Sequence, residues 1–417
     1  MKRLILMILF LAPLLMRAQE LSLDQCREQA RTRYPLVRQQ GLIESLREFT
    51  IANVHSARYP QVMLAAQATY QSDVTRVPID VPQFPIKPLA KDQYKVYADV
   101  SQSVYDGGTV ERSSQVQQLN AAVEQQKIEV ELYKLRERID QIYFGILLLD
   151  RQADQVKLLQ KDLDASLRKM KAAVENGTAM RMQADVLQAE SLKTRQRTIE
   201  LSAMRKAYLE SMALLTGMDI AEGTTLRTPE TKVLFTEDIT RPEMKLFNDQ
   251  RALALGQFDL SMTRNRPRAG LFLQAGYGRP GLNMLVNEFS TYYLGGLRLN
   301  WNLSGYWNVR RDREISTIQT RMIDVQQDLF TLNTRIGQRQ YMNEITRLQD
   351  LIAIDDELVA IRARVRQSAQ AQLDNGVLSA NDFIRELNAE DQARQSLLMH
   401  QIQLSLARLN YQSTTGN

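Results

Sequence analysis

Two periodicities of apolar residues follow one another along this chain, and the pair occurs twice. From Gln61 the period is two: Val62, Leu64, Ala66, Ala68 and Tyr70 alternate with Gln61, Met63, Ala65, Gln67 and Thr69, which predicts a strand with unlike faces. After a proline-rich stretch, Arg76–Pro88, a second alternating run sets Val96, Ala98, Val100 and Val104 against Lys95, Asp99, Ser101 and Ser103. Past Asp106-Gly107-Gly108 the period becomes helical. Leu132, Leu135, Ile139, Ile142, Ile146, Leu149, Ala153, Val156, Gln160, Leu163, Leu167, Met170 and Val174 step by threes and fours, and only Gln160 breaks the apolar character. No proline interrupts the chain from Gly108 to Asn176, so the pattern predicts one helix roughly 100 Å long with a heptad seam. Asn176-Gly177 stops it, and a return helix with a weaker seam (Ala184, Leu187, Ser191, Thr194, Thr198, Leu201, Arg205, Tyr208, Met212, Leu215) should run to about Leu215.

The second half repeats this order. A helix from Pro242 leads to a strand with Ala269, Leu271, Leu273, Ala275 and Tyr277 on one face, then to a turn containing Pro280-Gly281. The returning strand sets Leu297, Leu299, Trp301 and Leu303 against Arg298, Asn300 and Asn302. A long proline-free helix follows, with seams at Ile315–Ile336 and Leu351–Val365 and a phase break near Arg339–Asn343; Asn375-Gly376 turns it into a last helix ending near Tyr411. Pro35, Pro60, Gln67 and Tyr70 recur 207 positions later as Pro242, Pro267, Gln274 and Tyr277. Tyr105-Asp106-Gly107 recurs 198 positions later as Leu303-Ser304-Gly305, because the first half carries extra residues at Arg76–Pro88. A duplication on this scale is a tandem structural unit.

The expected organisation is a leader over 1–18, a first repeat over 19–217, a linker over 218–241 and a second repeat over 242–417. Strand pairs are expected near 61–71 and 94–106, and near 268–279 and 291–304, with hairpin tips at 176–178 and 375–377. Ser22 and Gln25 make a capping-box pattern for a short helix to Tyr34, and Pro35 starts a second segment reaching roughly Tyr59.

Composition narrows the function. The leader has Lys2 and Arg3, an apolar run Leu4–Met16 and Ala18, the pattern of an export signal. The formal net charge of +5 falls to +2 without Lys2, Arg3 and Arg17, too little for a nucleic-acid partner. Cys26 is the only cysteine and is expected as a small buried hydrophobe. The two histidines, His55 and His400, lie far apart in helical segments, where packing roles are expected. Neither a phosphate-binding glycine loop nor a metal-ligand cluster occurs, so no catalytic residue, cofactor or metal site is assigned and an enzyme is not expected.

Four strands in two hairpins cannot cover their own apolar faces. Export, strands of about ten alternating residues and a polar opposite face favour an outer-membrane barrel with a wet lumen, completed by several protomers. The competing reading is a secreted or periplasmic coiled-coil scaffold or adhesin that forms no channel.

The chain resembles the TolC-like outer-membrane efflux protein family over its whole mature length. The resemblance rests on Leu21-Ser22-Leu23-Asp24 with Ala30 and Tyr34-Pro35, and on Ala57-Arg58 before Pro60. It continues with Tyr70, with Gln102 and Tyr105-Asp106-Gly107-Gly108, and with Arg241-Pro242-Glu243-Met244-Lys245. Trp301-Asn302-Leu303-Ser304-Gly305 is a looser version of the strand-to-helix junction. The resemblance implies a mainly α fold, long helical hairpins plus four strands per protomer, in a homotrimer with a shared twelve-stranded membrane β-barrel and a periplasmic α-helical tunnel. It implies a passive efflux duct working with a periplasmic adaptor (a membrane fusion protein) and an inner-membrane pump. On this reading Val62, Leu64, Tyr70, Val96, Val100, Leu271, Leu273, Tyr277, Leu297, Leu299 and Trp301 face outer-membrane lipid. The tips Asn176-Gly177-Thr178 and Asn375-Gly376-Val377 meet the adaptor. Asp382 matches an aperture aspartate of the family; Arg385, followed by Glu386, stands where a second acid is usual.

Overall fold

The computed structural model describes residues 20–75, 89–229, 236 and 238–416. The leader and the Arg76–Pro88 stretch therefore lie outside the described residues, as does part of the linker. In order, the elements are α1 (Leu23–Arg33), α2 (Arg38–Ser56), β1 (Gln61–Tyr70), β2 (Asp92–Tyr105), α3 (Thr109–Glu175) and α4 (Arg181–Thr216). The second half gives α5 (Pro242–Met262), β3 (Arg268–Arg279), β4 (Ser290–Asn300), α6 (Val309–Asp374) and α7 (Ala380–Thr415). Short 3-10 turns at Pro35–Val37, Thr263–Asn265 and Ser304–Asn308 join neighbouring elements. Among the described residues no helix is long and apolar enough to cross a membrane.

The chain divides into two compact units. The strand unit comprises Gln40–Lys127 and Lys245–Gln327, and the helical unit the remainder.

In the strand unit the four strands form one antiparallel sheet in the order β1-β2-β3-β4, leaving β1 and β4 as its two edges. The register sets Val62 opposite Val100 and Leu64 opposite Ala98. It continues with Val96 opposite Tyr277 and Val100 opposite Leu273, and with Leu271 opposite Leu297 and Ala269 opposite Leu299. Cross-strand partners share a face, so the apolar positions read from the sequence form one continuous surface. A bulge between Ser103 and Tyr105 shifts the last pairing, placing Tyr105 opposite Ala269; Val104 is the extra residue, not a member of the regular alternation. β4 stops at Asn300, short of the expected 304, because the chain turns into the 3-10 segment. Trp301 is consequently just beyond the strand, and its Nε1–H donates to the Asn265 carbonyl at 3.0 Å. Arg251 ties α5 to α6 through Asp324 at 3.0 Å and Gln327 at 2.9 Å, and Gly256 lets Leu119 of α3 approach α5 closely.

In the helical unit, the last turns of the two long hairpins share one core. Leu159, Leu163 and Met170 of α3, Ala184 and Leu187 of α4, Ala369 and Leu373 of α6, and Phe383, Ile384 and Leu387 of α7 are buried together. Each large side chain so covered contributes about 1.5–3 kcal/mol. Gln160, the polar break in the α3 seam, donates to Asp164 and to Ser191 of α4, both at 2.8 Å. The first helix packs Cys26 out of solvent, and burial pushes its thiol up to about 12. Tyr143 shares its hydroxyl proton between the carbonyls of Leu21 and Arg227, at 2.7 and 2.6 Å, beside a parallel bridge between Leu21 and Leu226. The linker is thus pinned at its start.

One expected seam packs differently. On α6, Ile315, Ile318, Met322, Val325, Leu329, Leu332 and Ile336 stay exposed, as does Ile354. The helix turns Ile345, Leu348, Ala369 and Leu373 inward instead. The apolar stripe is real, but none of the described residues covers it.

Candidate functional site

Three surfaces carry the sequence-predicted residues, each built within one unit. The first is the sheet. Val62, Leu64, Tyr70, Val96, Leu271, Leu273, Tyr277, Leu297 and Leu299 are all exposed, Leu64 and Leu297 at 78%, while Val100 is half-buried. On the opposite face, Tyr97, Asp99, Ser101 and Gln67 oppose Gly276, Gln274, Phe272 and Lys95. An apolar face that stands free opposite a face carrying most of the polar side chains differs from a water-soluble sheet, which buries its apolar face. At one end of the apolar face Phe289 stacks on Tyr277, centroids 5.5 Å apart, and Arg279 lies 5.3 Å above the Phe289 ring.

The junction from β2 into α3 is a built turn. Asp106 accepts from the amides of Gly108 at 2.8 Å and Val110 at 2.7 Å, capping the helix. Partial burial opposes ionisation, but those amide donors outweigh it and hold the carboxyl below its usual range. Gly107 and Gly108 have φ of 70° and 83°, which favours glycine. The second-half junction does the same job with Asn302, which accepts from the Ser304 amide at 3.2 Å and its hydroxyl at 2.6 Å.

The hairpin tips are near copies of each other. Gly177 and Gly376 have φ of 71° and 72°. The Thr178 amide returns to the Ala173 carbonyl at 2.8 Å and the Val377 amide to Gln372 at 2.9 Å, the helix-ending pattern that needs a left-handed residue. A Cβ on either glycine would meet nothing within 4 Å, so conformation alone selects glycine. Asn176 and Asn375 precede these glycines, and Val377 is exposed.

The third surface surrounds Asp382, Arg385 and Glu386, and the fold brings them together. Ser379 caps α7 and donates its hydroxyl to Asp382 at 2.7 Å. Arg385 lies 3.3 Å from Asp382 and 3.5 Å from Glu386, and Arg362 of α6 reaches Glu386 at 3.5 Å. One turn on, Glu390 is held by Arg366 at 2.9 Å and Arg394 at 2.6 Å, and Asp391 by Arg197 at 3.0 Å. Burial opposes the Glu390 charge, yet the two guanidiniums hold its carboxyl below the usual value of 4.5. Sequence reading named the first three and missed Arg362, Arg366, Glu390 and Arg394. The signal was available, since Arg362/Arg366 and Glu386/Glu390/Arg394 all recur at helical i,i+4 spacing. It also missed that His400 meets Asp355 at 2.5 Å. Among the described residues no group of three His, Cys, Asp or Glu could hold a metal ion.

Duplicated helical hairpins and a four-stranded sheet with an exposed apolar face make up a fold shared with solved outer-membrane proteins. The solved structures agree. VceC, an outer membrane protein of Vibrio cholerae, superposes with a TM-score of 0.67 at 12% identity, covering 95% of this chain and 96% of that one. CusC, described in the context of transmembrane channel formation, gives 0.70 at 12% identity over 94% and 91% of the two chains. The CmeC outer membrane channel of Campylobacter jejuni gives 0.68 at 12% identity over 94% and 85%. No protein-family model and no curated protein sequence matches the chain. At such identity the likeness is one of fold.

Proposed function

We propose that the chain is one of three protomers of an outer-membrane channel, a passive duct of a tripartite efflux system. The observation that carries this reading is the sheet: an exposed apolar face bounded by two unpaired edges, β1 and β4. Open edges invite further strands, and a head-to-tail interface closes into a ring when the rotation permits. The helices of the same unit offer a matching seam. On α2, Leu42, Leu46 and Phe49 are exposed, and on α6 so are Ile315, Ile318, Met322 and Val325. Packing the α2 stripe of one copy on the α6 stripe of the next would cover both while β1 meets β4. Each copy adds four strands, and three copies give the smallest barrel wide enough for an aqueous lumen in this fold.

The hairpin tips Asn176-Gly177-Thr178 and Asn375-Gly376-Val377 are proposed to dock a periplasmic adaptor that couples the duct to an inner-membrane pump. Asp382, Arg385 and Glu386 are proposed to form an aperture closed by ion pairs. Threefold copies of Asp382 would attract cations, while Arg385 neutralises them and braces the closed state. Asp382→Ala should weaken cation selectivity and Arg385→Ala should raise the open fraction in single-channel recordings; unchanged records for both would place the constriction elsewhere.

The reading as a whole is tested by fractionating cells and sizing the detergent-extracted protein. A trimer in the outer membrane that forms conducting pores in a planar bilayer is the expected result. A water-soluble monomer after export would favour the scaffold or adhesin.

A further inference from the structure

The polar face of the sheet has its own construction. Its positions on β3 include Gly270, Gly276 and Gly278, and on β4 Gly296. Aromatic rings from adjoining strands lie over these gaps. A Cβ on Gly276 would stand 2.9 Å from Tyr292 Cζ and 2.7 Å from Tyr97 Cβ, and one on Gly296 would stand 3.2 Å from Phe272 Cε1. Contact through the far edge of a ring means that Tyr292 leans from β4 onto β3, and Phe272 from β3 onto β4. Tyr292 and Phe272 thus reach into the space that the missing Cβ atoms leave. Above Phe272 sits Arg298, its Cζ 4.7 Å from the ring centroid, and among the described residues no carboxylate pairs with it. The same face carries Lys95 and Arg268 against a single acid, Asp99.

We propose that this face is a stacking shelf for planar aromatic solutes bearing a negative charge, aromatic carboxylates or sulfonates, on their way through the duct. The proposal rests on the trimeric-channel reading, which makes this face the lumen wall. Tyr97 and Tyr292 place aromatic side chains on this face, and stacking is tolerant of the partner's identity because any flat ring has a π-face. Arg298, its Cζ above the Phe272 ring, offers a planar cation that can donate to an anionic group. Six residues along β4 separate Tyr292 from Arg298, about 20 Å, so a small solute uses the two as successive stations. The excess of basic over acidic side chains selects the anion over a cation of the same shape.

The test is transient block of single channels in a planar bilayer by 1-naphthalenesulfonate, with cyclohexanesulfonate and 1-naphthylmethylammonium as comparisons. The naphthalenesulfonate should dwell about tenfold longer than either. Arg298→Gln should remove its advantage over the ammonium, and Tyr292→Leu its advantage over the cyclohexane ring. Both variants keep bulk, and open-channel current verifies that each has inserted. Equal dwell times for the three probes in the natural protein, or dwell times unmoved in both variants, overturn the shelf while leaving the duct standing. Absence of any conductance overturns the duct, and the shelf with it.

Discussion

Leu163 and Phe383, in the hairpin core of the helical unit, are 0% exposed, whereas Leu64 and Leu297 on the sheet are 78% exposed. Both regions are rich in large apolar side chains arranged at the correct period for their backbone. One region satisfies them internally, as a water-soluble bundle does. The other leaves its apolar face uncovered by any described residue, the mark of a surface made for a partner or a membrane. The two units therefore treat their apolar side chains differently, and the proposed function assigns the free face of the sheet to lipid.

The contrast can be broken at its strongest point first. Phe383→Ala should destabilise the hairpin core by about 3–5 kcal/mol, and Leu163→Ala by about 2–5 kcal/mol, measured by denaturant unfolding in detergent. Leu64→Ala, on the exposed face of the sheet, should cost far less in the same assay. Equal costs would mean that Leu64 is packed against protein.

Reversing the polarity of the sheet comes next. Leu64→Arg or Leu271→Arg should cost about 2–4 kcal/mol at mid-bilayer, read as lost membrane-inserted trimer. Asp99→Arg, on the polar face, should insert normally; failure of that variant alone would invert the assignment of the faces.

At the tips, Gly177→Val and Gly376→Val force a β-branched residue into a left-handed conformation at a cost of about 1–2 kcal/mol each. Export should fail while the trimer remains in the membrane, since nothing else crowds either glycine. Export at the natural level would reduce these segments to plain turns.

The smallest expected effect is on pH. Because the Glu390 carboxyl is depressed, its stabilising contribution is complete above its ordinary value of 4.5 and is lost as pH falls through the lower folded value. Acid sensitivity of the hairpin ends should thus appear below about pH 4.5, and Glu390→Gln should flatten it. An unchanged acid profile in that variant would assign the sensitivity to another carboxylate.

Much of this was legible in the sequence because local rules sufficed. Asn-Gly marked both hairpin reversals, proline marked the start of β1, and the period-two runs gave faces that the register then aligned. What stayed hidden depends on distant partners. The Ile315–Ile336 seam reads like any buried heptad, and only the fold reveals that none of the described residues covers it. The Arg366–Glu390–Arg394 cluster needs α6 beside α7, which spacing on either helix alone does not specify. β4 ends at Asn300, and Trp301 just beyond it donates to the Asn265 carbonyl, an interaction no alternation pattern records.

The central claim is that the two faces of the sheet meet lipid and water, respectively. Cys26 is fully buried with its thiol pushed up to about 12, so single cysteines introduced at Leu64, Leu297, Asp99 and Gln274 can be labelled with a fluorophore without interference. In proteoliposomes, labels at Leu64 and Leu297 should be quenched by doxyl-lipid and shielded from aqueous iodide, and those at Asp99 and Gln274 the reverse. Iodide quenching all four labels alike, with no effect of doxyl-lipid, would contradict the account.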